Sequence, residues 1–221
     1  MARCPILLRH CDRGLGAKPQ LTSQRRPFTN GTADGDVVIE WNTAALNAIR
    51  TGRTPPPIAS RALAILHASI YDAINGIDRR HEAYLVQGAV PASASEEAAA
   101  SAAAHRVLVT LFPANAPSFD DLHTTILTAI PKDPQKNAGI AWGESVADEI
   151  LARRGNDGSG TTVPPPSGSG PGVWQPTPPA FAPYLLPQWA FVTPFGSTLR
   201  TTTKSKHWAR QLALHAHLSK I

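Results

Sequence analysis

"PIASRALAILHASIYDAINGIDR", Pro57–Arg79, is the longest stretch of helical pattern in the chain. A proline at its start has no amide hydrogen to waste, which suits a first helical turn whose N–H groups lack partners. Apolar residues then recur nearly all the way round at helical spacing, so the helix is predicted to be buried on most sides. One polar stripe crosses it: His67, Tyr71, Asn75 and Asp78. A helix buried on most sides needs several neighbours, and the flanking sequence supplies them.

Upstream, "DVVIEWNTAALNAIR" (36–50) places Val38, Trp41, Ala45, Leu46 and Ile49 on one helical face, ended by Gly52 and Pro55–Pro57. Downstream, "SASEEAAASAAAHRVLVTLF" (93–112) reads as a third helix. Ser93 and Glu96 stand at capping-box spacing, and an alanine-rich face suits close packing. "SFDDLHTTILTAI" (118–130) repeats that spacing with Ser118 and Asp121 and makes a shorter fourth helix. "DPQKNAGIAWGESVADEILARRG" (133–155) is a fifth, capped by Asp133, opened by Pro134 and ended by Gly155 after Arg153 and Arg154. Strand-like alternation is scarce. The fold class is therefore all-α, a helical bundle, with no internal repeat of fixed period.

Four regions follow: an irregular basic segment 1–33, the bundle 34–155, a Gly/Ser/Pro linker and Pro/aromatic arm 156–196, and a basic helix within 197–221. The arm, "GPGVWQPTPPAFAPYLLPQWAFVTPF" (170–195), is too rich in proline for a helix and too aromatic for a disordered tether. It is expected to follow a fixed extended path on the bundle.

With 42% hydrophobic and 17% charged residues the chain is globular in composition. Its net charge is 21 − 16 = +5, and residues 1–33 and 197–221 each carry +5, which leaves the middle at −5. Basic ends on an acidic body suit arms for nucleic acid or membrane, or ends that differ in origin from the body. No window approaches the roughly 20 apolar residues of a membrane span, and "CPILL" is too short for a signal-peptide core. Cys4 and Cys11 form no zinc motif, and they leave the redox compartment open.

Candidate chemistry is sparse. His67 with Asp72 or Asp78 is a conceivable base and orienting pair. On so apolar a helix, these groups more often satisfy neighbours inside the fold. His67 and His105 on adjacent helices lack the inward carboxylates of a di-metal bundle. His207, His215 and His217 do not share a helical face. "SRALAILH" (60–67) fits Ser-Arg-x5-His, a phosphate-handling motif. Its Arg61 and His67 nevertheless fall on opposite faces of the helix, and "PSGS" (166–169) lacks the companion motif's histidine.

Across residues 36–196, the blocks "EWNTAALNAIR", "RTPPPIASRALAILHASIYDAINGID", "AAAHRVLVTLFP", "GIAWGESVADEILARRGNDGS" and "GPGVWQPTPPAFAPYLLPQW" resemble, in order and rough spacing, bacterial vanadium-dependent haloperoxidase-related proteins. These belong to the type 2 phosphatidic acid phosphatase and haloperoxidase superfamily. The resemblance implies a bundle crossed by the arm, with Trp174, Phe181, Tyr184, Leu185, Trp189 and Phe195 as its anchors. It also implies that vanadate or phosphate is held by a Lys and Arg pair, a Pro-Ser-Gly-His segment and a later Arg and His, all beyond the arm. "KSKHWAR" offers Lys204 and Arg210 at too short a spacing and lacks the proline that follows in the family.

No catalytic, cofactor or metal residue is therefore assigned. The expectation is an N-terminal half, from a truncated, frameshifted or split gene. It lacks the vanadate- or phosphate-binding half, is inactive as a peroxidase alone, and holds no cofactor itself. A second polypeptide supplying the catalytic half, or self-association, is the implied partner, with no specific nucleic acid. Complete family members are often exported. The alternative is a non-catalytic helical binding or scaffold module whose basic ends meet an acidic partner.

Overall fold

A computed structural model of the chain describes residues 36–88, 90–164 and 168–196. The chain divides into two units, 1–34 and 35–221, and all the described residues belong to the second. Cys4, Cys11, Pro166, Lys204, His207, Arg210, His215 and His217 lie outside them.

Five helices in chain order make up the bundle: α1 (Val37–Thr51), α2 (Pro56–Asp78), α3 (Glu96–Leu111), α4 (Ala116–Ala129) and α5 (Pro134–Gly155). Among the described residues there is no strand, so the all-α reading holds. No described helix is long and apolar enough to cross a membrane.

The helix starts show which side chains satisfy the orphan amides of a first turn. The Asp36 carboxylate accepts from Val38 N at 2.8 Å, and Asp133 accepts from Lys136 N at 2.7 Å with Pro134 behind it. Two starts differ from the sequence expectation. The cap of α3 is Ser95, which accepts from Ala98 N, because a turn from Pro91 to Ala94 delays the helix past Ser93. A short 3-10 turn, Pro113–Asn115, runs directly into α4, so Ser118 is already helical and caps nothing.

The bundle centres on α3, which packs most extensively against α5 and then α2. Ala98, Ala99, Ala100, Ala102, Ala103 and Ala104 are all buried. Small side chains let the helix axes approach closely, and α5 answers with Gly139 and Gly143. A Cβ at either glycine would collide with the carbonyl of Ser95 or Ala99. Trp142 fixes α5 to α2: its Nε1–H donates to Ala73 O at 3.0 Å, and its ring lies where a Cβ on Gly76 or Gly88 would sit. Trp41 of α1 and Phe119 of α4 close one side of the core, whose larger members include Ile65, Leu66, Leu108 and Ile150. Full burial of each such side chain contributes about 1.5–3 kcal/mol.

Candidate functional site

The polar stripe of α2 holds a loop in place. Asp72 is fully buried, and its carboxylate accepts three backbone N–H groups, from Tyr84 at 2.7 Å, Leu85 at 2.8 Å and Val86 at 2.8 Å. Asn75 both donates to His81 O and accepts from His81 N, and the Tyr71 hydroxyl donates to Glu82 O. Together they fasten residues 81–86 across the helix and carry Val86 into the core. Asp78 pairs with Arg80. His67 bonds Asn42 Oδ1 of α1 at 3.1 Å, and burial lowers its pKa. Asp72 and Asp78 thus have partners other than His67, and no base and orienting carboxylate are brought together here.

A second polar cluster joins α1, α3 and α4. Trp41 Nε1–H donates to Ser101 Oγ at 3.2 Å, and Ser101 Oγ lies 3.0 Å from His123 Nδ1. The rings of His105 and His123 stack at 4.4 Å, and His105 Nε2 is 2.7 Å from Asp120. Burial, reinforced by repulsion from His105, pushes the His123 pKa down to about 4, so its ring is neutral at pH 7. A neutral ring accepts at Nδ1 from the Ser101 hydroxyl, which in turn accepts from Trp41. Every group finds a partner, but Ser101 is fully buried and no substrate reaches it. His105 therefore meets His123, not His67. Sequence pattern missed His123 because its neighbours come from two other helices.

The third cluster lies where the arm leaves the bundle. Asp157 Oδ2 takes Arg61 Nε at 2.7 Å and Arg154 Nη2 at 2.9 Å, and Oδ1 takes Ser159 N at 3.0 Å. Burial alone would raise the Asp157 pKa, but the hydrogen bonds from Arg61 and Ser159 outweigh it and hold the carboxyl below its usual range. Arg61 Nη2 donates to Arg154 O, and Arg154 Nη2 donates to Thr193 O. The Arg154 guanidinium covers the Phe195 ring at 3.7 Å, and that ring also stacks on Tyr84. Thr193 N donates to Asp157 O, and Gln188 Nε2 to Ser159 O. Arg61 and His67, six residues apart, therefore turn to different neighbours. Among the described residues, the cluster contains neither the Lys, Arg and Pro-Ser-Gly-His set that the resemblance implies nor a histidine, so it does not reproduce the expected vanadate pocket.

Only part of the arm packs as expected. Trp189 and Phe195 are half-buried anchors. Tyr184 meets Trp174 edge-on at 6.0 Å, so the arm folds back on itself. Trp174, Phe181 and Leu185, expected as anchors, are exposed by 43%, 61% and 61%, and Phe191 by 67%. Trp174 meets the Tyr184 ring yet keeps part of its surface open, and Phe181, Leu185 and Phe191 stay mostly exposed.

Among the described residues, no group of three or more His, Cys, Asp or Glu is placed to hold a metal ion. Comparison with known proteins finds no matching family model, no matching curated protein and no matching solved structure.

Proposed function

We propose that residues 36–196 form the helical portion of a vanadium-dependent haloperoxidase-like protein and pack against a polypeptide part that bears the oxyanion pocket. The observation that carries this reading is the arm. A bundle that buries its own core ends in a segment in which four large apolar side chains, Trp174, Phe181, Leu185 and Phe191, stay exposed. Large apolar side chains left exposed on one short segment suit a surface that meets another polypeptide. The order of the sequence blocks supports the choice of family, because in such proteins the arm leads toward the catalytic half.

Vanadate, if held in that half, would supply halide oxidation by peroxide, and a phosphoester held in the same pocket would be hydrolysed. The bundle's own residues supply the frame. Asp72 and Trp142 hold it rigid, and Arg61, Arg154 and Asp157 fix the angle at which the arm departs.

The test begins with the DNA beyond codon 221, translated in all three frames. A polypeptide containing Pro-Ser-Gly-His and Ser-Arg-x5-His blocks is expected, and it should give vanadate-dependent bromide oxidation only when mixed with the 221-residue chain. Absence of those blocks, an inert mixture, or activity of the chain alone overturns the proposal. Salt-sensitive binding of the chain alone to nucleic acid or anionic vesicles would favour the scaffold reading instead.

A further inference from the structure

We propose that Arg61 and Arg154, at the base of the arm, form a binding site for a small tetrahedral oxyanion of the phosphate or sulfate class. The charge balance of the cluster comes first. Guanidinium groups stay protonated in proteins, so two positive charges face the single carboxylate of Asp157. Three hydrogen bonds already engage that carboxylate: both arginines share Oδ2, and the Ser159 amide takes Oδ1. One positive charge is left over.

Backbone dipoles do not remove it. Arg154 lies in the last turn of α5, whose C-terminal end offsets roughly half a charge. Ser60 and Arg61 are past the first turn of α2, so its dipole contributes little there.

The second observation is an unused donor. Arg154 is 3% exposed, yet its Nε–H has no hydrogen-bond partner. A buried donor on a charged group is costly to leave unpaired. The third is space. An open depression of about 320 Å³ lies against this pair, lined by Ser60, Arg61, Arg154, Trp189, Thr193 and Phe195 among others. Arg154 Nη2 is committed to Asp157 and Thr193, and Arg61 uses Nε and Nη2. The donors left for one oxyanion therefore include Arg154 Nε–H and the Nη1 group of Arg61, two charge-assisted contacts from different side chains. A bound oxyanion would neutralise the excess charge and engage the orphan donor after a small shift of the Arg154 side chain. Among the described residues, no histidine or lysine lines the depression.

Binding has a structural consequence. Arg154 also holds Thr193 O and covers Phe195, so an anion that fixes Arg154 tightens the base of the arm. This inference does not depend on the family reading above.

The experiment uses the full 221-residue chain at pH 7, melted in sodium phosphate, in glycerol 3-phosphate and in sodium chloride of equal ionic strength. With phosphate at about ten times its Kd, binding to the folded state alone raises the melting temperature by roughly 3–5 °C. Equal shifts with the two phosphates identify the free anion as the ligand, and a larger shift with the ester identifies a phosphoester. Arg61→Gln should abolish the shift, whatever it does to the melting temperature without ligand. Arg106→Gln, which removes an exposed pair with Asp148, should leave the shift intact. Nuclear magnetic resonance provides a readout that needs no variant, because the Arg154 Nε–H signal should move with phosphate and not with chloride. A melting shift equal to that in chloride, a shift that survives Arg61→Gln, or an Arg154 signal that ignores phosphate overturns the proposal.

Discussion

The seam between α3 and α5 and the arm beyond Gly168 are built from opposite kinds of side chain. In the seam the residues are the smallest available, alanine against glycine, and they are wholly buried. In the arm they are among the largest, Trp174, Phe181, Leu185 and Phe191, and they face outward. The difference shows that side-chain size alone does not decide burial here, since close backbone approach buries the small residues of the seam. Two helices that meet carbonyl to Cα exclude water without large side chains. An aromatic residue on a proline-rich segment stays exposed until another surface is brought to it.

Substitutions can break that comparison at either side. The largest loss is expected from Asp72→Ala, which strips three backbone N–H groups of their only acceptor and releases the loop carrying Val86. A cost of about 3–5 kcal/mol in denaturant unfolding is predicted. Gly143→Ala should cost about 2–3 kcal/mol, because the added methyl meets the rigid Ala99 carbonyl and forces α5 away from α3. Phe195→Ala removes the ring beneath Arg154 and beside Tyr84, and should cost about 1–2 kcal/mol. The double variant Phe181→Ser, Leu185→Ser should change stability by no more than about 0.5 kcal/mol. If it destabilises as strongly as Gly143→Ala, the arm is packed and the comparison fails.

The histidine cluster adds a pH signature. His123 has a lower pKa folded than unfolded, so its neutral form belongs to the folded state and protonation favours unfolding. Its contribution is fully present above about 6.5 and is lost as pH falls from there toward about 4. His105, Asp120 and Lys136 are the charged or titratable groups acting on it. Melting temperature against pH should decline across that window, and His123→Gln should flatten the decline. Asp157, held low by Arg61, contributes stability above its ordinary carboxylate value that is lost only at more acid pH.

Much of the bundle was legible in the sequence. Asp133 followed by Pro134, and Asp36 ahead of an apolar run, mark helix starts whose cause is local, so pattern alone finds them. The cap at Ser95 was not distinguishable from Ser93, since a turn between them decides which serine meets a free amide. The polar stripe of α2 was visible as a stripe, but its partners in residues 81–86 were not, because a loop carries no periodicity. Arg154 read only as a last-turn cation of the fifth helix; its burial depends on Asp157 and on an arm that returns at Thr193. The arm's fixed path was half right. Trp189 and Phe195 are half-buried, while Trp174, Phe181 and Leu185 stay exposed, Trp174 against Tyr184 of the arm itself.

Hydrogen–deuterium exchange on the intact chain tests this division most directly. The amides of α2, α3 and α5 should exchange only at the rate of global unfolding, while those of Trp174, Gln175, Ala182 and Leu185 exchange within seconds. Protection in the arm equal to that of α3, in the chain alone, would show that its aromatic residues are already covered and would contradict the account.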